Sequence, residues 1–179
     1  MTRYVGLLYS VVVNGQRRVA ANDLLEIAGA AGVSSARALL ATGNLLFDAD
    51  AQDDAALERR LESALEARLG KPVPVIVRRA DDWMALAAAN PFPERARLDG
   101  RLVSVRVQRD RLDEVALGRL GPHVGSEERI SIVDGNLWVS LGAPTTSTRL
   151  LRMLTPRHLG IGTVRNWNTV RRIGEALAR

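Results

Sequence analysis

The apolar positions of the first half of the chain switch between two periods. Tyr4 to Val13 is a nearly unbroken apolar run that reads as a strand buried on both faces, closed by Asn14-Gly15 and an exposed Gln16-Arg17-Arg18 loop. Asn22 to Ala31 places Leu24, Ile27, Ala28 and Ala31 on one helical face, and Gly32 supplies a left-handed stop. Ala36 to Ala41 and Leu45 to Asp48 flank Thr42-Gly43-Asn44 as a hairpin. Leu57, Leu61, Leu65 and Leu69 recur at helical spacing until Gly70 and Pro72 end the pattern, and Val73 to Val77 is a fourth strand. Strand, helix, strand, strand, helix, strand is the order of a ferredoxin-like plait.

The order then repeats. A short helix from Asp81 to Ala89 is broken by Asn90-Pro91-Phe92-Pro93, and the polar stretch to Gly100 reads as a linker. Leu102 to Gln108 alternates, with Val103, Val105 and Val107 on one face and Ser104, Arg106 and Gln108 on the other. Asp110 is read as the cap of a helix carrying Leu112, Val115 and Leu120, stopped by Gly121-Pro122. Arg129 to Val133 and Leu137 to Leu141 flank the hairpin signal Asp134-Gly135. Ser147 or Thr148 caps a helix with Leu150, Leu151 and Leu154, and Ile161 to Arg165 is the last strand. It hands over to a final helix with Trp167, Val170, Ile173 and Leu177 on one face and Arg171, Arg172 and Glu175 on the other. The expected fold class is α+β: two tandem ferredoxin-like (βαββαβ) plait subdomains with antiparallel sheets, plus a C-terminal helix. The subdomains are residues 1–79 and 101–179, joined by a helix and linker at 80–100.

Composition narrows the chemistry. With no cysteine, disulfides, thiolate catalysis and sulfur-ligated metals are excluded, and a reducing cytoplasm is the expected compartment. No apolar run is long enough to cross a membrane. Tyr4 to Val13 after Arg3 superficially suits a signal peptide, but it lacks a small-residue cleavage site and its valines suit a strand. The formal net charge of +5 is uneven: residues 1–90 carry −1 and residues 91–179 carry +6. Basic charge in the second half attracts phosphates or acidic surfaces; a plain arginine-rich surface, with Lys71 the single lysine, is the preferred explanation.

Several clusters qualify as candidate sites. Asp48, Asp50, Asp53 and Asp54 lie close enough together to suggest magnesium, though capping of the following helix is the simpler reading. Thr145, Thr146, Ser147, Thr148 and Arg149 set hydroxyls and a guanidinium at a helix start, which suits a phosphate or carboxylate; the glycines and lysine of a P-loop are absent. Ordinary capping accounts for the same residues. Arg165, Asn166, Asn168 and Thr169 crowd around Trp167, either lining a polar pocket or serving as caps and turn formers beside a core indole. Asn44 sits at the first hairpin, where geometry alone explains it. His123 and His158 show neither metal spacing nor a neighbouring nucleophile, and Glu62 and Glu66 form a charged helix face with Arg59.

Four segments appear in order: Tyr4-Val5-Gly6-Leu7-Leu8, Thr42-Gly43-Asn44-Leu45-Leu46-Phe47, Ala89-Asn90-Pro91-Phe92 and Arg165-Asn166-Trp167-Asn168-Thr169-Val170. Together they resemble the bacterial family called domain of unknown function 1697, along nearly the whole chain and most specifically in the last segment. The resemblance implies two α-β plait subdomains and no established activity. Members usually continue the first strand as Leu-Arg-Gly-Ile-Asn-Val-Gly-Gly; here Tyr9 and Val12 replace that arginine and asparagine. The members' glycine-rich approach to a Ser-Lys helix start is similar to, but not the same as, Gly142 to Arg149.

Three function classes follow. A non-catalytic module for a small anionic ligand rests on the Thr145–Arg149 and Arg165–Asn168 segments. RNA or single-stranded nucleic-acid binding would draw on Tyr4, Tyr9 and Phe47 for stacking, in a chain that is only 4% aromatic. An enzyme with an arginine-based site is third; no nucleophile–base–orienter set, metal cluster or cofactor fingerprint stands out, so no cofactor is assigned. The oligomeric state is left open.

Overall fold

A computed structural model describes residues 1–9, 19–40, 43–50, 53–144 and 147–179. The far end of the expected first strand (Ser10 to Val13), the Asn14-Gly15 turn with the loop to Arg18, and residues Ala41, Thr42, Thr145 and Thr146 lie outside them. The chain divides into two compact units: Met1–Met84 with Ile173–Arg179, and Ala85–Arg172.

The first unit runs β1 (Thr2–Leu8), α1 (Ala21–Ala30), β2 (Ser34–Leu39), β3 (Asn44–Ala49), α2 (Asp54–Leu69) and β4 (Val75–Arg79). Its sheet has the order β2-β3-β1-β4, with every pair antiparallel. The register places Tyr4 between Phe47 and Arg79, so Tyr4, Leu8, Leu45, Phe47, Val75 and Val77 share one face. They bury against Leu24, Ile27 and Ala28 of α1 and Leu57, Leu61 and Leu65 of α2, while Leu69 is only partly covered. Gly32 and Gly70 take the positive φ values of 68° and 69° that end the two helices. Asp53 occupies the N-cap position of α2 without a side-chain capping bond, and Asp48 sits in β3, 3.4 Å from Arg3. The acidic run therefore does not cap the helix by hydrogen bonding.

An edge strand exposes backbone donors that can recruit another chain. On β4 these are covered from within the unit. Glu62 Oε1 accepts from the Val75 amide at 2.9 Å, and Glu58 Oε1 accepts from the Val77 amide at 3.0 Å. The two glutamates are four residues apart, so they lie on one helical face, and the strand's two-residue period meets that spacing. Glu62 thus caps a strand edge instead of joining a solvated charge face.

The second unit begins within α3 (Ala80–Ala88) and repeats the plan. Its elements are α4 (Pro93–Leu98), β5 (Val103–Gln108), α5 (Glu114–Leu120), β6 (Arg129–Val133), β7 (Asn136–Ser140), α6 (Arg149–Met153), α7 (Pro156–Leu159), β8 (Gly162–Asn166) and the first part, to Arg172, of α8 (Trp167–Leu177). The sheet order β6-β7-β5-β8 matches that of the first unit, again antiparallel throughout. Three details depart from the sequence reading. The stretch read as linker contains α4, started by Pro93 at a first-turn position where its missing amide costs nothing. Asp113, not Asp110, caps α5 by accepting from the Ala116 amide at 3.2 Å, and Val115 is exposed. The second crossover is two short helices, because Thr155-Pro156 cannot continue α6 and instead starts α7.

No helix among the described residues is long and apolar enough to cross a membrane. Glu58→Ala strands the buried Val77 amide and is expected to lower unfolding free energy by about 1–3 kcal/mol in urea titration. Glu58→Gln keeps an acceptor oxygen and recovers part of that loss; equal losses in both variants would show that the edge bond contributes nothing.

Candidate functional site

The polar face of β5 does not meet solvent, as alternation alone would suggest. Register puts Ser104 opposite Val139 and Arg106 opposite Leu137, so the polar side chains stand on the same face as the second unit's apolar core. Arg106 is 1% exposed and Gln108 is 2% exposed. Their hydrogen bonds explain why burial is tolerated. Arg106 Nη2 donates to the Gly160 carbonyl at 2.9 Å, Gln108 Nε2 donates to the Leu159 carbonyl at 3.1 Å, and Arg106 Nη1 donates to Gln108 Oε1. Gly162 completes the fit, since a Cβ there would strike both side chains.

Ser104 is different. It is 9% exposed, and its hydroxyl makes no hydrogen bond to the described residues. It lies on the floor of a cleft of about 800 Å³, beside its cross-strand partner Asn166 and next to Val164. Leu151 and Leu154, in and just after α6, form one wall; Leu141 and Pro144 form another. Arg101 stands at the cleft, with its Nε and Nη2 holding Asp99 Oδ2 at 3.0 and 2.7 Å. These hydrogen bonds hold the Asp99 carboxyl below its ordinary range.

Asn166 is both the last residue of β8 and the cap of α8. Its Oδ1 accepts from the Thr169 amide at 3.0 Å, which leaves its NH₂ group without a partner among the described residues. The junction is fixed to the β5 side of the unit. The Trp167 amide donates to the Gly100 carbonyl at 3.1 Å, and the exposed Asn168 amide lies where a Cβ on Gly100 would sit. The Trp167 indole packs against Trp138, centroids 6.2 Å apart and planes at 52°.

The other expected site residues are dispersed. Arg165 faces away from the cleft, opposite Val105. It is 7% exposed, donates to Thr163 Oγ1 at 2.7 Å and to the Val164 carbonyl at 2.9 Å, and burial pushes its guanidinium down to about 10. Thr148 caps α6 by accepting from the Leu151 amide at 3.1 Å, and Ser147 and Arg149 are exposed. Asn44 is buried and closes the first hairpin by donating to the Leu39 carbonyl at 3.0 Å. His123 lies in a 3₁₀ turn and His158 in α7, and the described residues include no group of three or more carboxylate or imidazole side chains placed to hold a metal. Of the expected set, Asn166 alone lines the cleft among the described residues. Ser104, Arg106 and Gln108 were visible in sequence as the polar half of an alternating strand, without any sign that this half is covered.

A family model described as "Protein of unknown function (DUF1697)" matches residues 1–138. No curated protein matches the chain. Among solved structures it is similar to the conserved bacterial protein SP0830 from Streptococcus pneumoniae, at 19% identity and a TM-score of 0.76, covering 100% of this chain and 99% of that one. At this identity the likeness is one of fold.

Gly100→Ala places a methyl where the movable end of the exposed Asn168 side chain lies, and is expected to cost no more than about 1 kcal/mol in denaturant unfolding. Asn168→Ala in the same chain should restore most of the loss. Simple additivity of the two changes would refute the close approach.

Proposed function

The chain belongs to the DUF1697 family of proteins of unknown function, a membership that brings no activity with it, and we propose that it is a non-catalytic module binding a small anionic ligand in the cleft of the second unit. The observation that carries this reading is Ser104. Ser104 as a residue is 9% exposed, and its hydroxyl, which makes no side-chain bond to the described residues, opens onto the cleft as a donor available to a ligand. It lies beside a second spare donor, the Asn166 NH₂, and both line a volume in the range of small-molecule sites. The N-terminus of α8 at Asn166 adds partial positive charge, which favours an anion over a neutral ligand.

The same positions in the first unit supply an internal comparison. Tyr4 lies between Phe47 and Arg79 as Ser104 lies between Val139 and Asn166. There the space is filled: Phe47 stacks on Tyr4 at 5.5 Å, and the Arg79 guanidinium stands 5.9 Å from the Tyr4 ring centroid. That burial also weakens the nucleic-acid alternative, because neither Tyr4 nor Phe47 presents a face to a base.

A thermal-shift screen of carboxylates, phosphates and nucleotides on the full chain tests the reading. A ligand at a hundredfold excess over its Kd should stabilise by about 2.7 kcal/mol. Leu154→Trp, which fills the cleft, should abolish that stabilisation. A screen with no stabilising anion, or a stabilisation that survives Leu154→Trp, overturns the proposal.

A further inference from the structure

Resting on the anionic-ligand reading above, we infer that the ligand is a monocarboxylate with an apolar body, which the cleft's donors among the described residues match better than a phosphate ester. A carboxylate has two acceptor oxygens and one charge. The floor offers two side-chain donors, Ser104 Oγ and Asn166 Nδ2, on cross-strand partners whose Cβ atoms stand about 5 Å apart, close enough to serve one head group. The Asn166 carbonyl oxygen is committed to the Thr169 amide, so its NH₂ group is the part left to donate.

A phosphate monoester asks for more. It carries about 1.5–2 negative charges at neutral pH and three acceptor oxygens. The guanidinium at the cleft, Arg101, is held by the Asp99 carboxylate through two of its nitrogens. Partial charge at the start of α8 amounts to about half a unit, which a single carboxylate charge complements. Among the described residues the remaining side chains, Leu141, Pro144, Leu151, Leu154 and Val164, are apolar and offer no acceptor or donor to a sugar or a second phosphate. An alkyl or aryl body satisfies these walls by desolvation, while a polar body leaves its own groups unmatched.

The test compares three probes of equal chain length by calorimetric titration of the full chain: hexanoate, hexanamide and hexyl phosphate. Hexanoate should bind at least tenfold more tightly than either of the others. Ser104→Ala should weaken hexanoate about tenfold. Asn166→Asp keeps an oxygen to cap α8 and turns the second donor into a like charge, so hexanoate binding should be lost while the melting temperature stays close to wild type. If hexyl phosphate binds more tightly at a site blocked by Leu154→Trp, the carboxylate assignment fails and the anionic-ligand reading stands. If hexanamide equals hexanoate, the charged head group is wrong. If none of the three binds and the broader anion screen is also silent, both proposals fall together.

Discussion

The register of β5 against β8 is the constraint on which the second unit depends. It places Ser104 opposite Asn166, Arg106 opposite Val164 and Gln108 opposite Gly162. A slip of one residue would turn each strand over, sending Ser104, Arg106 and Gln108 to the face that Val103, Val105 and Val107 now occupy. Hydrophobic pattern alone holds this register weakly, because β5 is buried on both faces. Directional bonds do the rest. Arg106 and Gln108 reach past their own strand to the carbonyls of Gly160 and Leu159, at the connection that launches β8. They tie the central strand to the start of its neighbour, and Gly162 leaves the room they need.

Such ties carry a desolvation penalty. Arg106 and Arg165 bring guanidinium groups into the interior from opposite faces of adjacent strands. Burial alone moves Arg165 down to about 10, which still leaves it charged at neutral pH. Buried charged groups add little net stability even when hydrogen-bonded, and they are better understood as fixing one arrangement among several. The first unit reaches the same sheet order with no buried arginine on the described part of its central strand. Its equivalent strand presents Tyr4, Gly6 and Leu8 to the helices, so aromatic stacking and aliphatic packing occupy what serine, arginine and glutamine occupy in the second. The duplicated plan thus holds two solutions: a filled core in one copy, and a pinned, partly open one in the other.

Much of this plan was legible in the chain. Element order, the left-handed stops at Gly32 and Gly70, the Asp134-Gly135 hairpin and the αβ handover at Trp167 follow from local periodicity and turn chemistry, which are properties of neighbours in sequence. The cleft was not legible. Alternation along Val103–Gln108 says that two faces differ, and it is silent about what covers each face. The carbonyls that receive Arg106 and Gln108, those of Gly160 and Leu159, lie more than fifty residues away, and no side-chain pattern announces them. Thr148 and Asn44 suit either a ligand or the architecture by residue type; the Thr148 bond to the Leu151 amide and the Asn44 bond to the Leu39 carbonyl are architectural.

The dense polar motif at the strand–helix junction can now be taken apart. Arg165 serves the buried far face, Trp167 and Asn168 fasten the junction to Gly100, and Thr169 receives the cap. Asn166 alone turns toward the cleft, because strand alternation gives it the opposite face from Arg165 and the end of β8 gives it the capping position. Crowding of hydrogen-bonding residues in a short segment therefore reflects a tight topological junction more than a concentrated site. The same reasoning bears on Tyr9 and Val12, where this chain departs from the usual family pattern. Tyr9 follows β1, its amide bonded to the Pro74 carbonyl at 2.9 Å, and Val12 lies outside the described residues. Both belong to the copy whose equivalent space is filled by Tyr4 and Phe47. The described residues that line the cleft all belong to the other copy.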